Sequence, residues 1–126
     1  MLRETVEQFW EAIGGADYDA AAGLMHEDAL VWLPNTREVF RGRSRYIASL
    51  KFAPARWQIR IERLHPTPDG LVVCVVQAKD PEHERHCFIT AFFTIREGRI
   101  SIITEYWSEN RPAPAWRREQ GFTELY

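Results

Sequence analysis

The stretch Cys87-Phe88-Ile89-Thr90-Ala91-Phe92-Phe93-Thr94-Ile95-Arg96-Glu97-Gly98-Arg99-Ile100-Ser101-Ile102-Ile103-Thr104-Glu105-Tyr106-Trp107 reads as two β-strands joined by a tight turn. β-Branched and aromatic residues fill both arms, and such side chains suit a pleated, half-buried surface. Arg96-Glu97-Gly98 between them is a hairpin turn signal. Side chains alternate across a strand, so Ile103, Glu105 and Trp107 share one face while Ile102, Thr104 and Tyr106 take the other.

Working outward, the two preceding strands are equally plain. Trp57, Ile59 and Ile61 alternate with Gln58, Arg60 and Glu62, the pattern of a half-buried strand. Pro66-Thr67-Pro68-Asp69-Gly70 is a turn, and Leu71 to Ala78 is a continuous apolar strand suited to the middle of a sheet. Asp80-Pro81 opens a polar loop. Towards the N-terminus, Leu30 to Leu33 reads as a strand closed by Pro34-Asn35, followed by an Arg-rich loop over 35–43.

Three helices come first or between these strands. Leu2, Val6, Phe9, Trp10 and Ile13 follow one helical face, stopped by Gly14-Gly15. Asp17 is placed to cap a second helix running to Leu24-Met25 and ended by His26-Glu27-Asp28; Ser44 is placed to cap a third, with Tyr46, Ile47 and Leu50 on one face and Pro54 after it. A short helix is expected around Trp116. The order gives an α+β fold: a curved antiparallel sheet against three N-terminal helices, with a cleft between them as the natural ligand pocket.

Composition narrows the function. At 126 residues the chain is expected to be one domain over 1–126, with a core at 2–110 and a tail at 111–126. Sixteen basic and 18 acidic residues give a net charge of −2, which does not build the basic stripe of a nucleic-acid binder. The longest apolar run, Leu71 to Val76, is too short to span a bilayer. The charged start, Met1 to Glu7, argues against a signal peptide, and Cys74 and Cys87 inside apolar runs read as buried free thiols; both point to a cytoplasmic protein. Five tryptophans are many for a small core, so some are expected to line a cavity or a subunit contact.

Four stretches carry a resemblance over residues 2–110: Ala16-Asp17-Tyr18-Asp19 with Leu24-Met25-His26-Glu27-Asp28-Ala29; Phe40-Arg41-Gly42-Arg43; Phe93-Thr94-Ile95-Arg96-Glu97-Gly98-Arg99-Ile100; and Glu105-Tyr106-Trp107. In this order and spacing the chain resembles the nuclear transport factor 2-like superfamily, in particular its SnoaL-like branch. The resemblance implies a cone-shaped, cystatin-like α+β barrel, usually dimeric, with an apolar pocket at its open end. It leaves the reaction open, because the fold hosts isomerases, cyclases, dehydratases, hydrolases and non-catalytic domains. Ketosteroid isomerases of this superfamily use a tyrosine on the first helix, an aspartate before the proline that ends the first strand, and an acid on the penultimate strand. Alignment on the motifs puts Phe9, Leu33 and Ala91 there. None of these moves a proton or polarises a carbonyl, which excludes that chemistry.

The same alignment turns Ile103, Glu105 and Trp107 into the cone. A carboxylate between Ile and Trp is set for a raised pKa, so Glu105 is the candidate acid/base and Tyr46 the hydroxyl that orients a ligand or bonds Glu105. The structural alternative pairs Glu105 with Arg56, Arg60 or Arg63. Trp10, Met25, Leu33, Leu50, Trp57, Ala91, Ile103 and Trp107 are the expected pocket residues around a small, largely apolar molecule. No cofactor is expected. His26-Glu27-Asp28 and the His83/His86 loop resemble metal clusters on paper, but adjacent side chains diverge and the loop offers no apolar surround. Arg37, Arg41, Arg43 and Arg45 read as a solvated run or an anion attractor at the mouth. Phe88, Thr90, Phe92 and Thr94 are expected on the outer face of the sheet, where a two-fold homodimer would cover the phenylalanines.

Overall fold

The computed structural model describes residues 2–126; Met1 lies outside the described residues. The elements in chain order are α1 (Leu2–Gly14), α2 (Tyr18–Gly23), β1 (Met25–Leu33), β2 (Glu38–Arg41), α3 (Arg43–Phe52), β3 (Gln58–Pro66), β4 (Leu71–Asp80), β5 (Arg85–Arg96), β6 (Arg99–Glu109) and α4 (Ala115–Glu119), with a 3-10 turn at Pro81–His83. The sheet order is β2-β1-β6-β5-β4-β3. Strands β3 to β6 form the expected meander. Glu97 (φ 52°) and Gly98 (φ 76°) make the β5–β6 turn, both with the positive φ of a hairpin whose twist matches its strands.

The sheet departs from expectation in one respect. It is mixed and unclosed rather than a wholly antiparallel barrel, because β6 returns beside β1 running the same way, with Val31 opposite Ile103 and Trp32 opposite Thr104. Irregular registers between Met25 and Leu30, Ile61 and Arg63, and Thr94 and Ile95 bend the strands, as bulges do. The concave face receives α1 against β3 and β4, and α3 against β1 and β2.

Three local readings are corrected. The segment His26-Glu27-Asp28 does not end a helix. It lies within β1, because Met25 pairs with Ile100 and the Ile100 amide donates to Leu24 O at 2.8 Å. Residues 35–43 are not a plain loop, since Glu38–Arg41 pairs with β1. The residue preceding α3 is Gly42 rather than Ser44; its φ of 96° suits glycine, and its amide donates to Ala29 O at 2.8 Å. Asp17 does cap α2, accepting from the Ala20 amide at 3.2 Å.

The core lies between the concave sheet and the helices. Val6, Phe9, Trp10 and Ile13 of α1 meet Val72, Cys74, Val76 and Ala78 of β4 and Cys87, Ile89, Ala91 and Phe93 of β5. Phe9, Trp10 and Phe93 pack edge to face at 5.2–5.9 Å between centroids. Each large apolar side chain buried here contributes about 1.5–3 kcal/mol. Among the described residues two carboxyl side chains are also buried, Asp80 and Glu105. Asp80 holds His83 Nδ1 at 2.7 Å beside the 3-10 turn.

Candidate functional site

Glu105 is 2% exposed on the concave face of β6, directly opposite Ala91 of β5. Tyr46 of α3 donates its hydroxyl to Glu105 Oε2 at 3.1 Å, and the Trp107 indole donates to Oε1 at 3.3 Å. Phe40 packs edge to face on Tyr46 at 5.3 Å and fixes its ring. Desolvation by burial pushes the Glu105 pKa up to about 7, and the Trp107 and Tyr46 hydrogen bonds hold it from rising further. Tyr46 is pushed well above its ordinary value by burial and by Glu105, so it stays a donor.

Glu105 forms the floor of a cavity of about 320 Å³. Leu33 closes one side at the end of β1, and Trp57 and Trp107 form the other, with ring centroids 5.3 Å apart. Asn35, Thr36, Glu38, Arg85 and Glu109 make the mouth. The β1–β2 turn is pinned over the end of β6, where the Trp107 amide donates to Asn35 Oδ1 at 2.9 Å. Arg85 donates from Nε and Nη2 to Glu109 Oε1 at 3.0 and 2.5 Å.

The cavity takes up part of the expected set. Leu33, Trp57, Glu105 and Trp107 line it. Trp10, Met25, Ala91 and Ile103 do not; each is at most 2% exposed and packed into the core. The Trp10 indole donates to Cys74 Sγ at 3.3 Å. Leu50 packs against the core from α3. Tyr46 is not a lining residue either, and its hydroxyl serves Glu105. The pairing of Glu105 with Arg56, Arg60 or Arg63 does not form: Arg56 donates to the Ala53 and Ala55 carbonyls and Arg60 faces Glu62.

Sequence reasoning missed the mouth. Glu109 was within reach of it, since the period of two that joins 103, 105 and 107 continues to 109. Asn35, Thr36 and Glu38 sit in a turn with no periodicity, and Arg85 precedes the apolar run of β5. The other expected clusters disperse. His83 bonds Asp80 and His86 bonds Gln77 Oε1 at 3.2 Å, while Asp28 is an exposed partner of Arg96. Arg43 donates to Met25 O at 2.9 Å and Arg41 lies over Trp32, away from the cavity. Cys74 and Cys87 are free, buried thiols; burial pushes Cys74 up to about 11, far from a nucleophilic thiolate. Among the described residues no helix is long and apolar enough to cross a membrane.

Solved structures share this architecture. A candidate ketosteroid isomerase from Kribbella flavida DSM 17836 superposes with a TM-score of 0.84 at 22% identity, over 99% of this chain and 89% of that one. An NTF-2 like protein of unknown function from Burkholderia xenovorans LB400 gives 0.82 at 22%, over 99% and 95%. An LEH-like epoxide hydrolase of M. tuberculosis gives 0.74 at 17%, over 85% and 82%. At these identities the likeness is one of fold. Comparison with curated proteins returns no match. Residues 6–103 match the SnoaL-like domain, so the chain belongs to the SnoaL-like domain family.

Proposed function

We propose that the cavity binds a small, largely apolar molecule and that Glu105 moves a proton on it, in an isomerisation, cyclisation, dehydration or hydrolysis that needs no cofactor. One observation carries this reading: a buried carboxylate with a pKa of about 7 forms the floor of an apolar cavity open to solvent. Such a group is a base in one half-reaction and an acid in the next at neutral pH. Tyr46 is a positioning residue, holding Oε2 from behind. Leu33, Trp57 and Trp107 exclude water and hold the apolar body. Membership of the SnoaL-like family supports small-molecule chemistry at this end of the fold.

A second reading is binding without turnover. It is favoured by the engagement of both neutral donors beside Glu105, the Tyr46 hydroxyl and the Trp107 indole, by the carboxylate itself. The deciding experiment is a thermal-shift screen of small oxygenated apolar molecules, followed by product analysis on the hits. Shifts that vanish in Leu33→Trp and turnover that vanishes in Glu105→Gln support the enzyme. Turnover retained in Glu105→Gln overturns it, and cavity binding without product selects the second reading.

The working unit in this proposal is a homodimer. Trp32, Phe92 and Tyr106 are 39%, 38% and 42% exposed on the convex face, with Phe88 half-buried beside them. Trp32, Thr104, Phe92 and Val73 run in one row across four strands. That is a wide apolar patch for one chain to leave in water. The two buried free thiols support a reducing compartment such as the cytoplasm.

A further inference from the structure

The cavity carries an excess of acid that proton transfer does not require. Glu38, Glu105 and Glu109 line it, and Arg85 is the one cation among the lining residues. That guanidinium is already committed. Two of its nitrogens donate to Glu109, and its carbon lies 4.9 Å from the Trp57 ring centroid. Arg85 and Glu109 cancel, which leaves Glu38 at the mouth and Glu105 at the floor without a counter-charge. Neither is saturated. A carboxylate offers about four lone-pair sites; Glu105 uses two, for Tyr46 and Trp107, and Glu38 accepts from Thr36 Oγ1 at 2.6 Å.

The walls decide what kind of charge fits. An anion would meet two uncompensated carboxylates. A hard metal ion wants oxygen ligands on all sides; among the described residues no three carboxylates, histidines or cysteines come together to hold one, and the Leu33, Trp57 and Trp107 walls supply no oxygen. An organic cation suits both the floor and the walls, because indole faces attract ammonium and guanidinium groups more strongly than other rings do. The Arg85 guanidinium over Trp57 shows that this wall holds a cation.

We propose that the ligand of this cavity carries an alkylated ammonium group on a compact apolar body, seated against Trp57 and Trp107 with its charge towards Glu105. The proposal rests on the reading of the cavity as the ligand site and adds the chemical class of the ligand. Binding is favoured by charge and by contact with the ring walls together, so removing either weakens it.

The test is calorimetric titration of the full chain at pH 8 with choline and with 3,3-dimethylbutan-1-ol, which has carbon in place of the charged nitrogen. Choline is expected to bind about tenfold tighter or more, with Glu105→Gln and Trp57→Ala each weakening it by about tenfold. The alcohol should be within about twofold in wild type and Glu105→Gln. Equal affinity for the two probes, lost together in Leu33→Trp, overturns the cation class and leaves the cavity as the ligand site. Choline binding unchanged in both Leu33→Trp and Trp57→Ala places the cation elsewhere and overturns the cation class, and the neutral screen then decides the cavity. No heat from either probe overturns the cation class, and the neutral screen then decides the cavity alone.

Discussion

Tyr46 and Glu105 stand 59 residues apart in sequence and 3.1 Å apart in the core, hydroxyl to carboxylate. The bond joins α3 to β6 and is one of two that hold the only buried glutamate among the described residues. Its energy is modest on balance, because both groups give up water to make it. Its effect on Glu105 is larger, since it favours the charged form against a desolvation that favours the neutral one.

Glu105 makes stability depend on pH in a definite sense. Its folded pKa of about 7 lies above the ordinary 4.5, so the folded state holds a proton that the unfolded state releases. The stability this confers is fully present below about 4.5 and is lost as pH rises through about 7. The span corresponds to roughly 3 kcal/mol. Glu105→Gln lacks this dependence, and Trp107 and Tyr46 can still pair with the amide. Denaturant unfolding at pH 4.5 and pH 8 should show the variant gaining on wild type by that order at the higher pH. A constant difference between the two proteins would contradict the burial argument.

Tyr46→Phe removes one of the donors that hold Glu105 down. The Glu105 pKa should move further up, and any rate that needs its carboxylate should shift its acid limb to higher pH. The stability cost should be about 1–2 kcal/mol. Carboxyl-carbon NMR titration reads the shift directly, and a downward or absent shift would count against the positioning role.

The five tryptophans divide into different kinds, and two substitutions separate them. Trp10→Phe strands the Cys74 contact and thins the core, so unfolding should become easier by about 1–3 kcal/mol with ligand affinity unchanged. Trp57→Ala opens the cavity wall and should cost affinity with less effect on stability, since Trp57 is only half-buried. Denaturation curves and ligand titration on the same two proteins check the division.

Phe92→Arg places a charge in the middle of the convex apolar row. Sedimentation at micromolar concentration should give twice 14.8 kDa for wild type and 14.8 kDa for the variant. A monomeric wild type would remove the dimer from the account and leave the patch to be explained otherwise.

The apolar alternation that sets a strand's two faces is a short-range property, and it was legible. Ile103, Glu105 and Trp107 fall on the concave side as read, and Asp17 caps α2 as read. Burial by itself does not mark which residues line the cavity. Trp10, Met25 and Ile103 face inward, but so does every core residue, and inwardness does not tell a filled layer from a hollow one. The mouth was illegible for a different reason: Asn35 and Arg85 acquire their places from the ends of distant strands.

By itself the sequence determined the order of the helices and of every strand but β2, the hairpin at Glu97-Gly98 and the face on which an acid would sit, because those follow from neighbours within a few residues. Only the tertiary structure decided that β6 runs parallel to β1, that the acid is held by Tyr46 and Trp107, and that the hollow opens beneath Asn35 and Trp57. Those depend on which remote surfaces pack together, and packing is settled by the shape of the whole core.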